Sequence, residues 1–369
     1  MCFPPKKEPE SLPDAMQSVH DLHHAMMRFP SLSFEEKELA DFLETWLRAE
    51  GIMVHRHRDN VWFECGDGED VLLLNSHLDV VPASAHHPYP PFEPTVVEGN
   101  VYGRGAVDAK GSGAAMTWAF FTLFREGFRP KKGKLIVALT TCEENSKLYD
   151  GLEDLTVNRI LPPISAALVG EPTNLQPCIA QKGLLILNLH AHGRTAHAAR
   201  GHLGINAIPI AARDVLALEA FAFEKSDPVL GKPSLHVTMI EGGKAHNIIP
   251  DHVMLKVDIR STPAYTHPEI TALVQSVVVS EVEVHSERII PVGTHPHERI
   301  VQACLAGREE AVPFGSPTAS DWIFLQGIPT VKIGPGASEL SHTPDEHVAL
   351  GEIEAAVTVY RNIILHYFE

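Results

Sequence analysis

The sequence predicts an α/β protein, with a mixed, largely parallel sheet flanked by helices and an inserted α+β domain. Short continuous apolar runs at residues 71–74, 135–140 and 166–169 alternate with helical patterns, as in sheets that are buried on both faces. Between about residues 179 and 290 the pattern changes to apolar/polar alternation, which is typical of strands with one exposed face. The two patterns together predict two kinds of sheet in one chain.

The outer parts of the chain carry the elements of the first sheet. Helical spacing predicts helices around residues 22–27 and 34–47, and a third at 114–124 after a glycine-rich turn. Apolar runs at 61–65 and 330–333 add strands to the three already named. Strands that alternate with helices favour a parallel sheet whose functional groups gather at the carboxyl ends of its strands.

The insert has its own set of elements. Alternation at residues 185–191 and 253–259 predicts strands, and helical character at 205–223 and 268–278 predicts two helices on one face of an antiparallel sheet. Because 369 residues exceed a typical single domain, we divide the chain into a main domain (1–178 and 291–369) and an inserted domain (179–290). The open strand edges of the insert make it the expected site of homodimerisation.

Composition limits the partners and the compartment. Lys and Arg number 30 against 47 Asp and Glu, a net charge of −17, so the field disfavours nucleic acid and anionic membrane. The first sixteen residues are rich in Pro, Lys and Glu and lack an apolar signal core, and no apolar run approaches the roughly 20 residues that cross a bilayer. Five cysteines without C-x-x-C spacing indicate reduced thiols. These features predict a cytoplasmic protein with a small-molecule substrate.

Ligand-type side chains follow the predicted strands. His77, the pair Glu143-Glu144 and Glu171 each come directly after a strand, and His342 follows the loop Gly334-Pro335-Gly336. Carboxyl ends of parallel strands meet at one edge of a sheet, so these side chains are expected to share one rim. Of two adjacent carboxylates, one can bind a metal ion while the other acts as a base.

Each of these residues also has an ordinary structural interpretation. Asp108, in a glycine-rich turn that opens a helix, could bridge two cations, cap the helix or border a phosphate-binding loop, although Walker and Rossmann spacings are absent. The chain has 22 histidines, so close histidine pairs are interpreted as solvated surface. These pairs are His55/His57, His86/His87, His190/His192 and His295/His297. His77 differs because Asp79 can accept its other ring N–H and fix its tautomer.

Five ordered motifs resemble the co-catalytic zinc aminoacylases and exopeptidases, the family of carboxypeptidase G, succinyl-diaminopimelate desuccinylase and acetylornithine deacetylase. The motifs are Ser76-His77-Leu78-Asp79, Gly103 through Gly111, Glu143-Glu144, Gly170-Glu171-Pro172-Thr173 and Ser341-His342-Thr343-Pro344-Asp345-Glu346. The resemblance covers nearly all of the chain beyond Leu22. It implies a zinc exopeptidase-like main domain, which is catalytic, and a lid and dimerisation role for the insert.

The same resemblance implies a role for each motif residue. His77 and Glu171 would hold one divalent ion, Glu144 and His342 the other, with Asp108 between them; the ions would be Zn²⁺, with Co²⁺ an option. Glu143 would be the general base, and Asp79 joins the catalytic set as the partner of His77. Ala109 and Asn145 stand where relatives commonly have other residues. These two differences leave the substrate in doubt but not the metal chemistry.

Motifs in the insert are similar to the lid of that family. His197, in the segment Gly193-Arg194-Thr195-Ala196-His197, would stabilise the oxyanion in the active site of a partner subunit. Asn247 and Arg260 would bind a substrate carboxylate, since a guanidinium suits that task, although a structural ion pair at Arg260 is the alternative. The backbone of Gly336 is expected to line the substrate pocket.

The motifs look closest to acetylornithine deacetylase. The predicted activity is hydrolysis of an Nα-acyl amino acid, N-acetyl- or N-succinyl-ornithine, in arginine biosynthesis. A succinyl-diaminopimelate desuccinylase, a hydrolase that releases lysine or ornithine from a carrier protein, and a dipeptidase are the enzymatic alternatives. A metal-binding scaffold without turnover is the non-enzymatic one.

Overall fold

A computed structural model describes residues 16–145 and 148–369 of the chain. The prediction that the opening segment is no signal sequence falls mostly on residues 1–15, outside the described residues. The helices are α1 Val19–Met27, α2 Lys37–Ala49, α3 Lys110–Arg125, α4 Gly151–Val157, α5 Ala207–Ala220, α6 His267–Val277, α7 Arg299–Gly307 and α8 Leu350–Phe368. Short 3₁₀ helices lie at Ala198–Leu203, Asp321–Phe324 and Ser338–Leu340.

The strands are numbered in chain order. They are β1 Val54–His57, β2 Asn60–Cys65, β3 Asp70–His77, β4 Thr95–Val97, β5 Asn100–Tyr102, β6 Gly133–Thr140, β7 Ala166–Val169, β8 Cys178–Gln181, β9 Gly183–His192, β10 Ala196–His197, β11 Ser234–Gly242, β12 Ile248–Ile249, β13 His252–Ser261, β14 Glu281–Ile289, β15 Val292–Gly293, β16 Phe314–Ser316, β17 Thr330–Lys332 and β18 His347–Ala349.

The chain divides into two compact units. Unit 1 comprises residues 1–178, 294–313 and 327–369, and unit 2 comprises residues 179–293 and 314–326. The segment 314–326, which the sequence analysis assigned to the main domain, therefore falls in unit 2.

Unit 1 contains the largely parallel sheet. Its strands run in the order β1-β2-β6-β3-β7-β17, with β6, β3, β7 and β17 mutually parallel and β1 and β2 added antiparallel at one edge. The side chains of β3, β6 and β7 are almost entirely buried on both faces, which is why these strands read as continuous apolar runs. The predicted mixed α/β class is confirmed.

Parallel pairing brings the ends of three strands to the same edge of this sheet. The register pairs His77, the last residue of β3, with Thr140, the last residue of β6. It also places Val169, at the end of β7, beside Asn75 in β3. The residues that follow these strands therefore leave the sheet side by side, as ligand-binding segments do in α/β proteins.

Unit 2 is an antiparallel sheet with helices on one face. The strand order is β11-β13-β9-β14, and α5 and α6 pack against it. Leu185, Leu187 and Leu189 of β9 are buried with Val257 and Ile259 of β13, while the alternate residues face outward. The period of two seen in the sequence thus reflects one helix-covered face and one open face.

Local sequence explains where the helices begin. Ser18 before α1 and Thr266 before α6 each accept a hydrogen bond from the third helical residue, whose carboxylate bonds back to the N-cap. These capping boxes satisfy N–H groups that have no partner inside the helix.

In the described parts of the chain, no helix combines the length and apolarity that crossing a membrane would require.

We predict that Leu187→Ala lowers the free energy of unfolding of unit 2 by about 2–5 kcal/mol, because it leaves a cavity in a fully buried cluster. Leu216→Ala on α5 is the matched control, since Leu216 is 70% exposed, and its effect should stay within about 0.5 kcal/mol. Urea unfolding monitored within unit 2 measures both changes. Equal midpoints for the two variants would contradict this description of the core.

Candidate metal centre

His77, at the end of β3, points one ring nitrogen into a group of carboxylates. Its Nδ1 lies 2.9 Å from the main-chain oxygen of Asp79, which can only accept, so Nδ1 carries the proton. Its Nε2 lies 3.3 Å from Asp108 Oδ1 and 3.8 Å from Glu171 Oε1. Burial opposes protonation of this ring, but hydrogen bonds to Asp108 and Asp79 raise the pKa of His77 well above its usual value, so a metal ion would take the place of the Nε2 proton. This is the arrangement of a metal-binding histidine whose tautomer is fixed by a second hydrogen bond.

A second group lies on the other side of Asp108. His342 Nε2 is 2.9 Å from Glu144 Oε2 and 3.5 Å from Asp108 Oδ2. In each group, one ligand atom from each of the three residues lies within 4.8 Å of the others. Asp108 belongs to both groups and turns one carboxylate oxygen toward each, so the donor set suits two cations that share a carboxylate.

The pKa shifts of the carboxyl groups at the centre also favour bound cations. Burial and the neighbouring Asp108 raise the pKa of Glu171 to about 8, and burial raises the pKa of Glu144. Burial also opposes ionisation of Asp108, but hydrogen bonding and charge from His77 hold its pKa below the usual range. Carboxylates this close repel one another in a poorly solvated site. Two bound divalent ions would remove that repulsion, and the residues present therefore fit such a centre.

Asp79 holds the loop that carries the two glutamates. One carboxylate oxygen accepts the N–H of Glu143 at 3.1 Å and the other accepts the N–H of Glu144 at 3.1 Å. Ser33 Oγ donates to the same carboxylate at 2.7 Å. The predicted acceptor of the His77 N–H is the Asp79 side chain, but that carboxylate is 3.5 Å from Nδ1 and the shorter contact, 2.9 Å, is to the main-chain oxygen of Asp79. Asp79 thus positions both the candidate base and a candidate ligand.

Glu36 supports the same loop and was missed in the sequence. Its Oε1 accepts the N–H of Cys142 at 3.0 Å and lies 3.4 Å from the thiol. Cys142 has a left-handed backbone with a φ of 63°, a conformation that a neighbouring acceptor can stabilise. Burial, and then the charge of Asp79, raise the pKa of Glu36. Its sequence context, at the start of an amphipathic helix far from any motif, gave no signal of this role.

Glu346 and Arg104 support the Asp108 loop and were also missed. Glu346 Oε1 accepts the N–H groups of Val107 at 3.1 Å and Asp108 at 3.2 Å. Its other oxygen pairs with the buried Arg104 guanidinium. Both residues lie inside quoted motifs, so the signal was present, but nothing in the sequence alone connects positions 104 and 346.

The remaining candidate residues are placed as follows. Gly336 in unit 1 has a φ of 77° and packs against Val107 so closely that a Cβ would collide with it. In unit 2, His197 on β10 is exposed and its Nδ1 accepts the N–H of Ala199 at 3.1 Å. Asn247 is its neighbour, because its carbonyl oxygen accepts the N–H of Ala198.

Arg260 does not join His197 and Asn247. It lies near the opposite end of β13 from His252, and its guanidinium binds Asp258 through two hydrogen bonds of 2.9 and 3.2 Å. The structural ion pair, which the sequence analysis kept as the alternative, is therefore present.

Two cation positions beside an additional glutamate, Glu143, form an arrangement suited to hydrolysis of polarised carbonyl compounds. Glu143 lies three residues after the end of β6, its backbone N–H is bound by Asp79, and its charge acts on His77. A base held in this way can take a proton from water and return it to a leaving group.

Comparison with known proteins agrees with this chemistry. Among curated proteins, the chain is 27% identical to a Peptidase M20 domain-containing protein of Schizosaccharomyces pombe, over 97% of this chain and 86% of that protein. It is also 27% identical to a probable succinyl-diaminopimelate desuccinylase of Staphylococcus epidermidis, over 86% of this chain and 88% of that protein.

Solved structures share the fold. Aminopeptidase PepT from Bacillus cereus superposes with a TM-score of 0.77 at 20% identity, covering 95% of this chain and 98% of that one. The M20 family metallo-carboxypeptidase Sso-CP2 from Sulfolobus solfataricus gives 0.74 at 19% identity, covering 96% and 100%. The family model described as peptidase family M20/M25/M40 matches residues 73–366. The chain therefore belongs to peptidase family M20/M25/M40, a family of metal-dependent hydrolases whose centres usually hold two ions.

Proposed function

We propose that the protein is a two-zinc amidohydrolase that removes the acyl group from an Nα-acyl amino acid, N-acetyl- or N-succinyl-ornithine. The observation that carries this proposal is the pair of ligand groups that share Asp108, with the backbone of Glu143 held next to that of the ligand Glu144 by Asp79. His77 and Glu171 would hold one ion and Glu144 and His342 the other. The mixed imidazole and carboxylate donors suit Zn²⁺, and Co²⁺ would be accepted in the same geometry.

Bound divalent ions would polarise the amide carbonyl and make water a better nucleophile near neutral pH. Glu143 takes a proton from the attacking water and delivers it to the leaving amine as the carbon–nitrogen bond breaks. The products are a carboxylate and the free amino acid. Asp79 keeps Glu143 and Glu144 at a fixed spacing during this transfer, because one carboxylate binds both backbone N–H groups.

His197 and Asn247 would contribute from unit 2 of a partner subunit. An exposed histidine next to an exposed asparagine supports a role in stabilising the oxyanion of the substrate. Arg260 would bind a substrate carboxylate only after exchanging its Asp258 partner, and Gly336 would line the pocket with its backbone. The homodimer would form along β11 and β14 of unit 2, the two edge strands of its four-stranded sheet, each of which pairs with a strand on one side only among the described residues.

A second substrate, N-succinyl-diaminopimelate, is supported by the relative from Staphylococcus epidermidis. Its scissile bond is of the same kind, a secondary amide between a small acyl group and an α-amino acid. Purified protein should therefore be assayed with acetylornithine, succinylornithine, succinyl-diaminopimelate and a few dipeptides. A kcat/KM for either ornithine derivative that exceeds the others at least tenfold supports the proposal, whereas preferred cleavage of succinyl-diaminopimelate or a dipeptide replaces it with that activity.

Glu143→Gln should lower kcat by about 10²–10⁴-fold, because the amide cannot accept the proton of water. The metal content should stay at the wild-type value, since Glu143 is outside both ligand groups. Glu98→Gln, in the exposed turn between β4 and β5, is the control and should retain full turnover. Steady-state kinetics with metal analysis test this, and a Glu143→Gln enzyme with more than a tenth of wild-type kcat would overturn the assignment of the base.

Removal of metal with EDTA should abolish hydrolysis, and addition of Zn²⁺ or Co²⁺ should restore it. His342→Ala should lose about one ion per chain and most activity, because it takes a ligand from one group and leaves His77 in the other. Full activity in the presence of chelator, with metal confirmed absent by elemental analysis, would exclude the metal-dependent mechanism.

A further inference from the structure

Three histidines stand together on the open face of unit 2. His190 and His192 are alternate residues of β9 and therefore project to the same side. His252 begins β13 and lies directly opposite His192 in the antiparallel register. We refer to His190, His192 and His252 as the histidine triangle. The sequence alone predicts that His190 and His192 are solvated, and only the strand register brings His252 beside them.

Two of the three ring pairs in the triangle have the spacing found in a three-histidine metal site. Its ring centroids are 5.3, 5.5 and 6.3 Å apart, and His190 Nδ1 is 3.1 Å from His252 Nε2. Tetrahedral Zn²⁺ with Zn–N bonds of about 2.0–2.1 Å requires centroids about 5.2 Å apart. The His190–His252 and His192–His252 separations are near that value, whereas His190 and His192 lie farther apart, and the three rings do not present three nitrogens within 4.8 Å of one another. The His192 side chain, which is 61% exposed, therefore has to turn toward the other two rings when an ion binds.

Two glutamates of β14 fix the tautomers. Glu283 Oε2 lies 2.9 Å from His190 Nε2, and Glu281 Oε2 lies 3.2 Å from His192 Nε2. An ionised carboxylate only accepts, so the proton of each neutral ring is on Nε2 and the lone pair is on Nδ1. His190 is thus in the tautomer that can bind a metal ion through Nδ1, the nitrogen that faces His252. Carboxylates behind ligand histidines play this part in established metal sites.

The backbone beneath the triangle is rigid. β9 pairs with β13 on one side and β14 on the other, and the leucines on its reverse face are fully buried. A cavity of about 690 Å³ opens beside His190 and His252, so an ion in solution can reach the ring nitrogens. Preorganised donors lower the cost of binding.

We propose that the histidine triangle is an additional site for a borderline divalent transition metal, of which Zn²⁺ is the probe. His190 Nδ1, His192 Nδ1 and His252 Nε2 supply the ligands, and solvent supplies the fourth position. Imidazole donors favour Zn²⁺ over Mg²⁺ or Ca²⁺. On binding, His252 gives up the Nε2 proton that it donates to His190, which passes to its Nδ1 or to solvent. The site belongs to unit 2 and does not depend on the proposed hydrolysis.

The direct test counts zinc. Metal-free full-length protein is equilibrated with Zn²⁺, desalted and analysed for bound zinc per chain. His190→Ala and His252→Ala should each hold one equivalent less than wild type, while His236→Ala should match it. His236 is an exposed residue of β11 opposite Asp258, roughly 20 Å along the sheet from His252. Equal zinc in wild type and both triangle variants overturns the proposal, as does an equal loss in His236→Ala.

Because a difference of one ion is scored, the result does not depend on how many ions the centre in unit 1 holds. Unchanged circular dichroism confirms that the variants are folded. Glu281→Ala with Glu283→Ala should weaken zinc binding at the triangle about 10–100-fold in competition with a chromophoric chelator. Glu219→Ala, on the exposed side of α5, serves as the control, and equal affinities in the two proteins would overturn the role given to the carboxylates.

Discussion

The mutual repulsion of the carboxylates of Asp108, Glu144 and Glu171 is the constraint that the architecture of unit 1 has to satisfy. Three carboxylates with little exposure, between 8% and 13% of each side chain, share a space with two imidazoles. Without compensation such a group favours protonation or separation. The fold keeps them together because they leave the sheet at neighbouring strand ends and at the start of α3, positions that the hydrophobic core fixes independently of the charges.

Backbone N–H groups do much of the positioning around this centre. Asp79 binds the amides of Glu143 and Glu144, Glu36 binds that of Cys142, and Glu346 binds those of Val107 and Asp108. In each case a buried carboxylate that is not itself a proposed ligand orients the loop that carries one. Charge-assisted bonds of this type are stronger than neutral ones, so the loops are held without side chains entering the space that ions would fill.

The sequence predicted the ligand-type residues of unit 1 because each follows a recognisable strand or glycine-rich turn. His77 and Glu171 could be found in this way, and the strand pairing then brought them together. Glu36 and Glu346 could not be found, since their partners are distant in the chain and only the folded structure sets those distances. The same reason explains His252: the neighbours of a strand residue depend on register, which alternation alone does not give. Arg260 illustrates the opposite case, where a residue suited to ligand binding has a local partner two positions away.

The two halves of the centre differ in their access to solvent. The His77 side chain is 1% exposed, whereas that of His342 is 54% exposed. An ion beside His342 would have a ligand in contact with solvent, whereas an ion beside His77 would have a ligand that is enclosed by the protein. Ion exchange is therefore expected to be faster at the His342 position than at the His77 position.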